Sequence, residues 1–266
     1  MPSLADYQST RIVKLLYCGD SGAGKTGSLT SLVKAGYSMS ILDMDNGLDY
    51  MVKKLKLEYP QGLTKVRFET VRDKYKPSQS LGVKVDGTPK AAIEAAKILT
   101  RWSEERDPAF WGDNHVFVLD SLTGFGKAAL EWAEGMNPTA KDPRQWYSAG
   151  QKLVENTIAA ITGEAFDTNV IVVTHVSIVE APDGSLKGWA NSGIGKALGP
   201  TLPKYFNNLI LAERSGQGEK VSRTIRTVPT DLMDLKIAAL NMPSKVPLES
   251  GLSEIFAQLK MENKDA

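Results

Sequence analysis

The 266-residue chain is expected to be an α/β protein built on a mostly parallel, twisted sheet with helices on both faces. Three observations predict this. Gly19 to Thr26 (GDSGAGKT) matches the GxxxxGK[ST] phosphate-binding loop and stands between an apolar run and a helical one. Several other short runs are continuously apolar, as strands buried on both faces must be. Two of them, SMSILDMD and VFVLD, close in aspartate, which puts carboxylates at the carboxyl edge where doubly wound sheets bind ligands.

Taken in order, Ile12 to Cys18 is apolar and β-branched with only Lys14 interrupting, and reads as the first buried strand. After the loop, Ser28 to Ala35 continues as a short helix stopped by Gly36, and Ser38 to Asp45 is the second strand. Leu63 to Phe68 is a third strand running into Glu69. Lys74 to Thr88, rich in Lys, Pro, Gly and Ser, reads as an exposed loop. Thr88 and Pro89 open a helix to about Arg106, with Ala92, Ala95, Ala96, Leu99 and Trp102 on one face. Val116 to Leu119 is the next strand and ends in Asp120. Helices follow over Gly124 to Glu134 and Pro143 to Ile161, and Val170 to Val173 makes a buried strand ending in Thr174 and His175.

Ser177 to Pro203 has Gly and Pro punctuation, no clear period and unusual length for a loop, which marks loops that carry function. Leu209 to Ala212, the turn Ser215 to Lys220 and the returning Val221 to Val228 form a β-hairpin appended to the sheet. Ser250 to Lys260 closes the chain as an amphipathic helix with Leu252, Ile255, Phe256 and Leu259 inward. The expected organisation is an N-terminal extension over 1–10, a core over 11–240, and a C-terminal tail and helix over 241–266.

Composition narrows the function classes. With 42% hydrophobic and 24% charged residues and a formal net charge of +1, no global basic field argues for nucleic acid, so such binding must come from local patches. The single Cys18 excludes an internal disulfide and suits a reducing compartment. No charged-then-apolar leader and no apolar run near membrane-spanning length is found, so a soluble, cytoplasmic protein and no membrane partner are expected.

The chemistry starts at the loop. Gly19, Gly22 and Gly24 let the backbone turn with its N–H groups inward, so Gly19, Asp20, Ser21, Gly22, Ala23, Gly24, Lys25, Thr26 and Gly27 form the candidate cradle for a nucleotide at a helix N-terminus. Lys25 would reach the β- and γ-phosphates and the Thr26 hydroxyl would ligate magnesium. Asp120, closing a strand of four aliphatic or aromatic residues, is the Walker B pattern and the second candidate ligand for that ion. ATP and Mg2+ are the expected cofactors.

The order of these parts resembles the RecA-like ATPase core. More narrowly, VFVLDSLTGF, NVIVVTHV and IGKALGPTLPKYFNNLILAE are similar to segments of bacteriophage-encoded RecA-like ATPases, among which are single-strand annealing and recombination proteins. The likeness spans about Arg11 to Ala239. It implies that a glutamate after the third strand orients the attacking water, a place that Glu69 takes, with Asp45 and Asp73 as rivals. It implies that His175 senses the γ-phosphate, although the RecA residue there is a glutamine, and that the Ser177 to Pro203 loop, with Lys187, Trp189 and Lys196, contacts single-stranded DNA. His115, in the turn before the Walker B strand, is read as incidental.

The resemblance further implies a homo-oligomer, as a ring or a DNA-dependent assembly, in which a neighbour's basic residue completes the site. Lys196, Lys204, Arg214, Arg223 and Arg226 are candidates. Only about ten residues precede the first strand, which argues against the long N-terminal oligomerisation domain of filament-forming recombinases. The expected function is ATP binding and hydrolysis, stimulated by single-stranded DNA, in phage recombination, annealing or replication within the bacterial host. The alternative is a nucleotide-dependent switch or loader that assembles a partner such as a helicase. A small-molecule kinase is disfavoured, because no arginine-rich lid follows the loop.

Overall fold

The computed structural model describes residues 11–79, 82–102, 107–180 and 184–261; the expected 1–10 extension lies outside them. Eight strands form one sheet in the order β12-β11-β10-β1-β7-β6-β2-β3. These are β1 (Lys14–Gly19), β2 (Ser38–Asp43), β3 (Val66–Thr70), β6 (Gly112–Asp120), β7 (Thr168–Thr174), β10 (Asn208–Ser215), β11 (Ser222–Arg226) and β12 (Lys245–Pro247). The six from β10 to β3 run parallel, and β11 and β12 add an antiparallel margin. The α/β class, the mostly parallel sheet with the phosphate-binding loop between its first strand and the next helix, and the C-terminal hairpin expected from the sequence are therefore present.

Each central strand divides its side chains between two cores, because successive residues point to opposite faces. Leu16 and Cys18 of β1, Phe117 and Leu119 of β6, and Val170 and Val172 of β7 meet α4 (Ala91–Ile98), α5 (Leu122–Met136) and α6 (Arg144–Thr162) on one face. Leu15, Tyr17, Val116, Val118, Ile171 and Val173 face α1 (Lys25–Ser28), α2 (Thr30–Lys34), α3 (Asp49–Glu58) and α7 (Gly251–Met261) on the other. Both faces being covered explains why the strands read as unbroken apolar runs. Cys18 is buried among them and burial pushes its thiol up to about 12, so it stays protonated and packs as a small apolar group.

Four expectations need correction. The exposed loop over Lys74 to Thr88 is a hairpin of β4 (Tyr75–Ser78) and β5 (Gly82–Val85), antiparallel to each other. Most of its side chains face solvent on either side, so no apolar alternation announces it. The long loop after Val176 likewise begins as a hairpin of β8 (Val176–Glu180) and β9 (Leu186–Ala190), a second small sheet. No element was expected between Asp45 and Leu63, yet α3 forms there, burying Met51 and Leu55 one helical turn apart. His115 lies inside β6, not in a turn before it; it is 9% exposed, its Nε2 is 2.9 Å from Ser40 Oγ, and its ring lies 4.4 Å from that of Trp111.

The C-terminal residues belong to the same framework. β12 pairs with β11, and Leu252, Ile255, Phe256 and Leu259 of α7 enter the core beside Tyr17 and Leu32. The long β10 bonds directly to β1, aligning Cys18 with Leu211 and Gly19 with Ala212. Sequence-distant residues thereby reach the strand that launches the phosphate-binding loop.

Candidate nucleotide-binding site

The loop leaves β1 at its carboxyl end and enters α1, as its chemistry requires. Gly22 and Gly24 hold φ of 75° and 94°, in the left-handed region that glycine enters without steric cost. At Gly24 there is a second reason: a Cβ would stand 2.5 Å from a methyl of Leu248. Lys25, 7% exposed, folds back so that Nζ donates to the carbonyls of Gly19 at 2.6 Å and Asp20 at 3.0 Å. Burial lowers its pKa, against the pull of the Asp120 carboxylate.

Thr26 Oγ1 donates to Asp120 Oδ2 at 2.6 Å, joining residues 94 positions apart. Burial pushes Asp120 up to about 6; the Thr26 hydrogen bond opposes this, while Asp45 and Asp43 add to it. A hydroxyl and a carboxylate side by side are hard oxygen donors of the kind magnesium takes when substrate phosphates supply the rest of its shell. The donor set thus fits the ion expected from the sequence.

The acid expected to orient water is placed differently. Glu69 lies on β3, the outermost parallel strand, with β2, β6 and β7 between it and β1. It does not line the cavity over the phosphate loop. Asp45, one of its rivals, does. The reason is a turn after β2: Asp43 Oδ1 accepts from the backbone N–H of Asn46 at 2.8 Å and of Asp45 at 3.1 Å, and Asn46 adopts φ 58°. Asp43 is consumed in building this turn, and Asp45 is delivered to the cavity. The third acid, Asp73, caps α4, its Oδ1 accepting from Lys90 N at 2.9 Å.

The cavity is about 380 Å³ and gathers Lys25, Thr26, Asp45, Asp120 and His175 with Ser21, Gly22, Gly24 and Gly27. His175 is half-buried; burial first, then the Lys25 cation, lowers its pKa, so the ring is neutral at physiological pH. Its Nδ1 lies 3.4 Å from Thr123 Oγ1. Thr123 and Thr174 donate to the carbonyl of Asn191 at 2.9 and 2.7 Å, and Asn191 N donates to His175 O at 2.8 Å. Asn191 directly follows β9, so these bonds tie the cavity to the β8–β9 hairpin.

Lys187 and Trp189 stand two residues apart on β9 and so share one face of that hairpin, whereas Lys196 lies beyond it, exposed, in the segment that packs on α5 and α6. Tyr50, Lys54, Arg223, Leu248 and Glu249 also line the cavity. The Tyr50 ring lies against Gly27, and Lys54 pairs with Glu249 across to the C-terminal segment. The sequence offered no local signal for Tyr50, Lys54, Leu248 or Glu249, because none belongs to a motif and the folding of α3 and β12 alone brings them here.

No protein-family model matches the chain, and no curated protein matches it in sequence. Among solved structures, the chain is similar to the RadB recombinase with a TM-score of 0.49 and 13% identity, over 93% of this chain and 92% of that one. A KaiC-like protein from Pyrococcus horikoshii OT3 gives a TM-score of 0.44 and 11% identity, over 88% of this chain and 84% of that one. The flagellar accessory protein FlaH from Methanocaldococcus jannaschii gives 0.43 and 8%, over 88% and 83%.

Proposed function

We propose that the chain binds ATP with magnesium and hydrolyses it, and that this activity serves single-stranded DNA in phage recombination, annealing or replication, with the protein working as a homo-oligomer. The observation that carries the nucleotide reading is the convergence of Lys25, Thr26, Asp45, Asp120 and His175 on one cavity above the phosphate loop. The backbone N–H groups of residues 19–27 and Lys25 bind the phosphates. Thr26 and Asp120 would hold magnesium, which when bound would neutralise charge on the nucleotide's phosphates. Asp45 accepts a hydrogen bond from water and orients it. In the displacement the terminal phosphoryl group moves from the ADP oxygen to that water oxygen, and the water proton leaves to a carboxylate or to solvent.

The DNA half of the reading rests on the hydrogen bonds from His175 through Thr123 and Asn191 to the β8–β9 hairpin. Lys187 contacts backbone phosphates and Trp189 stacks on a base, which suits sequence-tolerant single-strand binding. ATP turnover of wild type, Lys25→Ala and Asp120→Asn, each with and without single-stranded DNA, tests both halves. Loss in both variants and stimulation of wild type by DNA are expected. Wild-type turnover by Lys25→Ala would overturn the nucleotide reading. Equal wild-type rates with and without DNA, together with no DNA-dependent mobility shift, would remove the DNA half and leave the switch or loader.

A further inference from the structure

One wall of the cavity comes from the hairpin of β10 and β11, which sets Arg214 opposite Arg223 and Leu211 opposite Arg226. The arginines differ in what they touch. Arg226 is committed to Glu213, its Nε donating to Oε1 at 2.7 Å, and Lys245 takes the other oxygen of that carboxylate at 3.4 Å. Arg223 pairs with no carboxylate among the described residues. Its Nε donates to the carbonyl of Gly22 at 3.3 Å, and its Cδ lies 3.3 Å from where a Cβ on Gly24 would stand. It lines the same cavity as Lys25, Thr26 and Asp120.

A guanidinium carries five N–H donors in a planar fork, and one hydrogen bond to Gly22 leaves the others at the cavity. Arginine forks match phosphate oxygens, and charge-assisted hydrogen bonds of this kind are about twice as strong as neutral ones. The placement is also fixed within one chain. β10 is hydrogen-bonded to β1 in register, and a Cβ on Gly19 would meet Ala212 O at 2.8 Å, so the hairpin cannot drift from the loop without breaking the sheet.

We propose that Arg223 binds the polyphosphate of a nucleotide held by the phosphate loop of its own chain, so that this site's basic residue is supplied in cis and not by a neighbouring subunit. The inference rests on the nucleotide reading above. It assigns Arg223 a binding role and makes nucleotide affinity independent of assembly.

The test is equilibrium binding of a fluorescent, non-hydrolysable ATP analogue with magnesium, for wild type, Arg223→Ala, Arg223→Lys and Lys25→Ala. Circular dichroism and melting temperature verify folding, and the exposed Arg223 side chain makes large losses of stability unexpected. Arg223→Ala is expected to weaken binding about tenfold and Arg223→Lys less, since lysine keeps the charge but not the fork. Equimolar Arg223→Ala and Lys25→Ala chains, mixed at concentrations spanning a hundredfold range, are expected to show no recovered high-affinity sites. Recovery would place the arginine across an interface and overturn the proposal, as would Arg223→Ala binding within twofold of wild type. Wild-type binding by Lys25→Ala is a separate outcome that overturns the nucleotide reading itself.

Discussion

Replacing Gly126 with alanine sets two physical effects of opposite sign against each other. Gly126 lies inside α5, where helix propensity alone favours alanine by about 1 kcal/mol. The tertiary structure opposes the change. A Cβ there would stand 1.7 Å from the carbonyl oxygen of Ser192 and 2.8 Å from its carbon, in the segment that follows β9. A comfortable contact needs roughly 3.2 to 3.4 Å, so backbone must retreat by about 1.5 Å, and overpacking of this kind costs about 1–3 kcal/mol or more. The segment has little room to retreat, because Gly193, one residue on, is itself pressed against Thr123 and Lys127, its hypothetical Cβ lying 2.1 Å from Thr123 O.

With the cost at the upper end of that range, about 3 kcal/mol, set against about 1 kcal/mol of propensity, Gly126→Ala is expected to destabilise the fold by about 2 kcal/mol net, which lowers the melting temperature by roughly 4–8 °C for a chain of this size. Urea denaturation of wild type and variant, read as the shift in midpoint at unchanged slope, measures it. Displacing Ser192 also pulls Asn191 from Thr123 and Thr174, so any DNA stimulation of turnover should fall more than basal turnover. A variant as stable as wild type, or more so, would show that propensity outweighs the close approach and would refute the packing of the 191–193 segment on α5.

Two further outcomes follow from the site and the core. Asp45→Asn should reduce ATP turnover at least a hundredfold with nucleotide affinity nearly unchanged, while Glu69→Gln stays within about twofold of wild type, in line with the size of general-base contributions; the reverse ranking in a steady-state assay would return the water-orienting role to β3. His115 is held at about 4, below its ordinary 6.5, first by burial and then by the Arg67 cation. The unfolded chain therefore takes up a proton before the folded one, so stability is full above about pH 6.5 and is lost as pH falls toward 4, by up to about 3 kcal/mol. Denaturation midpoints of wild type and His115→Gln across that window should converge as pH falls, and parallel curves would exclude the histidine as the source.

The alternation of apolar strands and helices was legible because the sheet is covered on both faces, so burial is written directly into composition at β1, β2, β6 and β7. The phosphate loop was legible for a different reason: its backbone conformation demands glycines at fixed spacing, and its chemistry demands Lys25 and Thr26 beside them. The two small hairpins were not: β4 and β5 are solvated on both sides and carry no apolar period, and the buried positions of β9 are Gly188 and Ala190, too small to write one. Exposed lysines and a proline in residues 74–78 look the same in a loop and in a strand.

Which carboxylate faces the cavity was decided only in three dimensions. Asp43, Asp45, Glu69 and Asp73 all stand at or just past the ends of strands and are alike in sequence; sheet order and one hydrogen-bonded turn separate them, making Asp43 a turn former, Asp73 a helix cap and Asp45 the cavity acid. The Asp-Asn-Gly run of residues 45–47 has the composition of a turn, but nothing in it says what the turn aims. The arginines of the last hairpin are separated in the same way, since Glu213 occupies Arg226 and leaves Arg223 to the phosphate loop. By itself the sequence determined the fold class and the cradle, because burial and backbone geometry are local demands on residue type. The tertiary structure decided which distant side chains complete the site, because that choice depends on strand order and register, which no local window of residues contains.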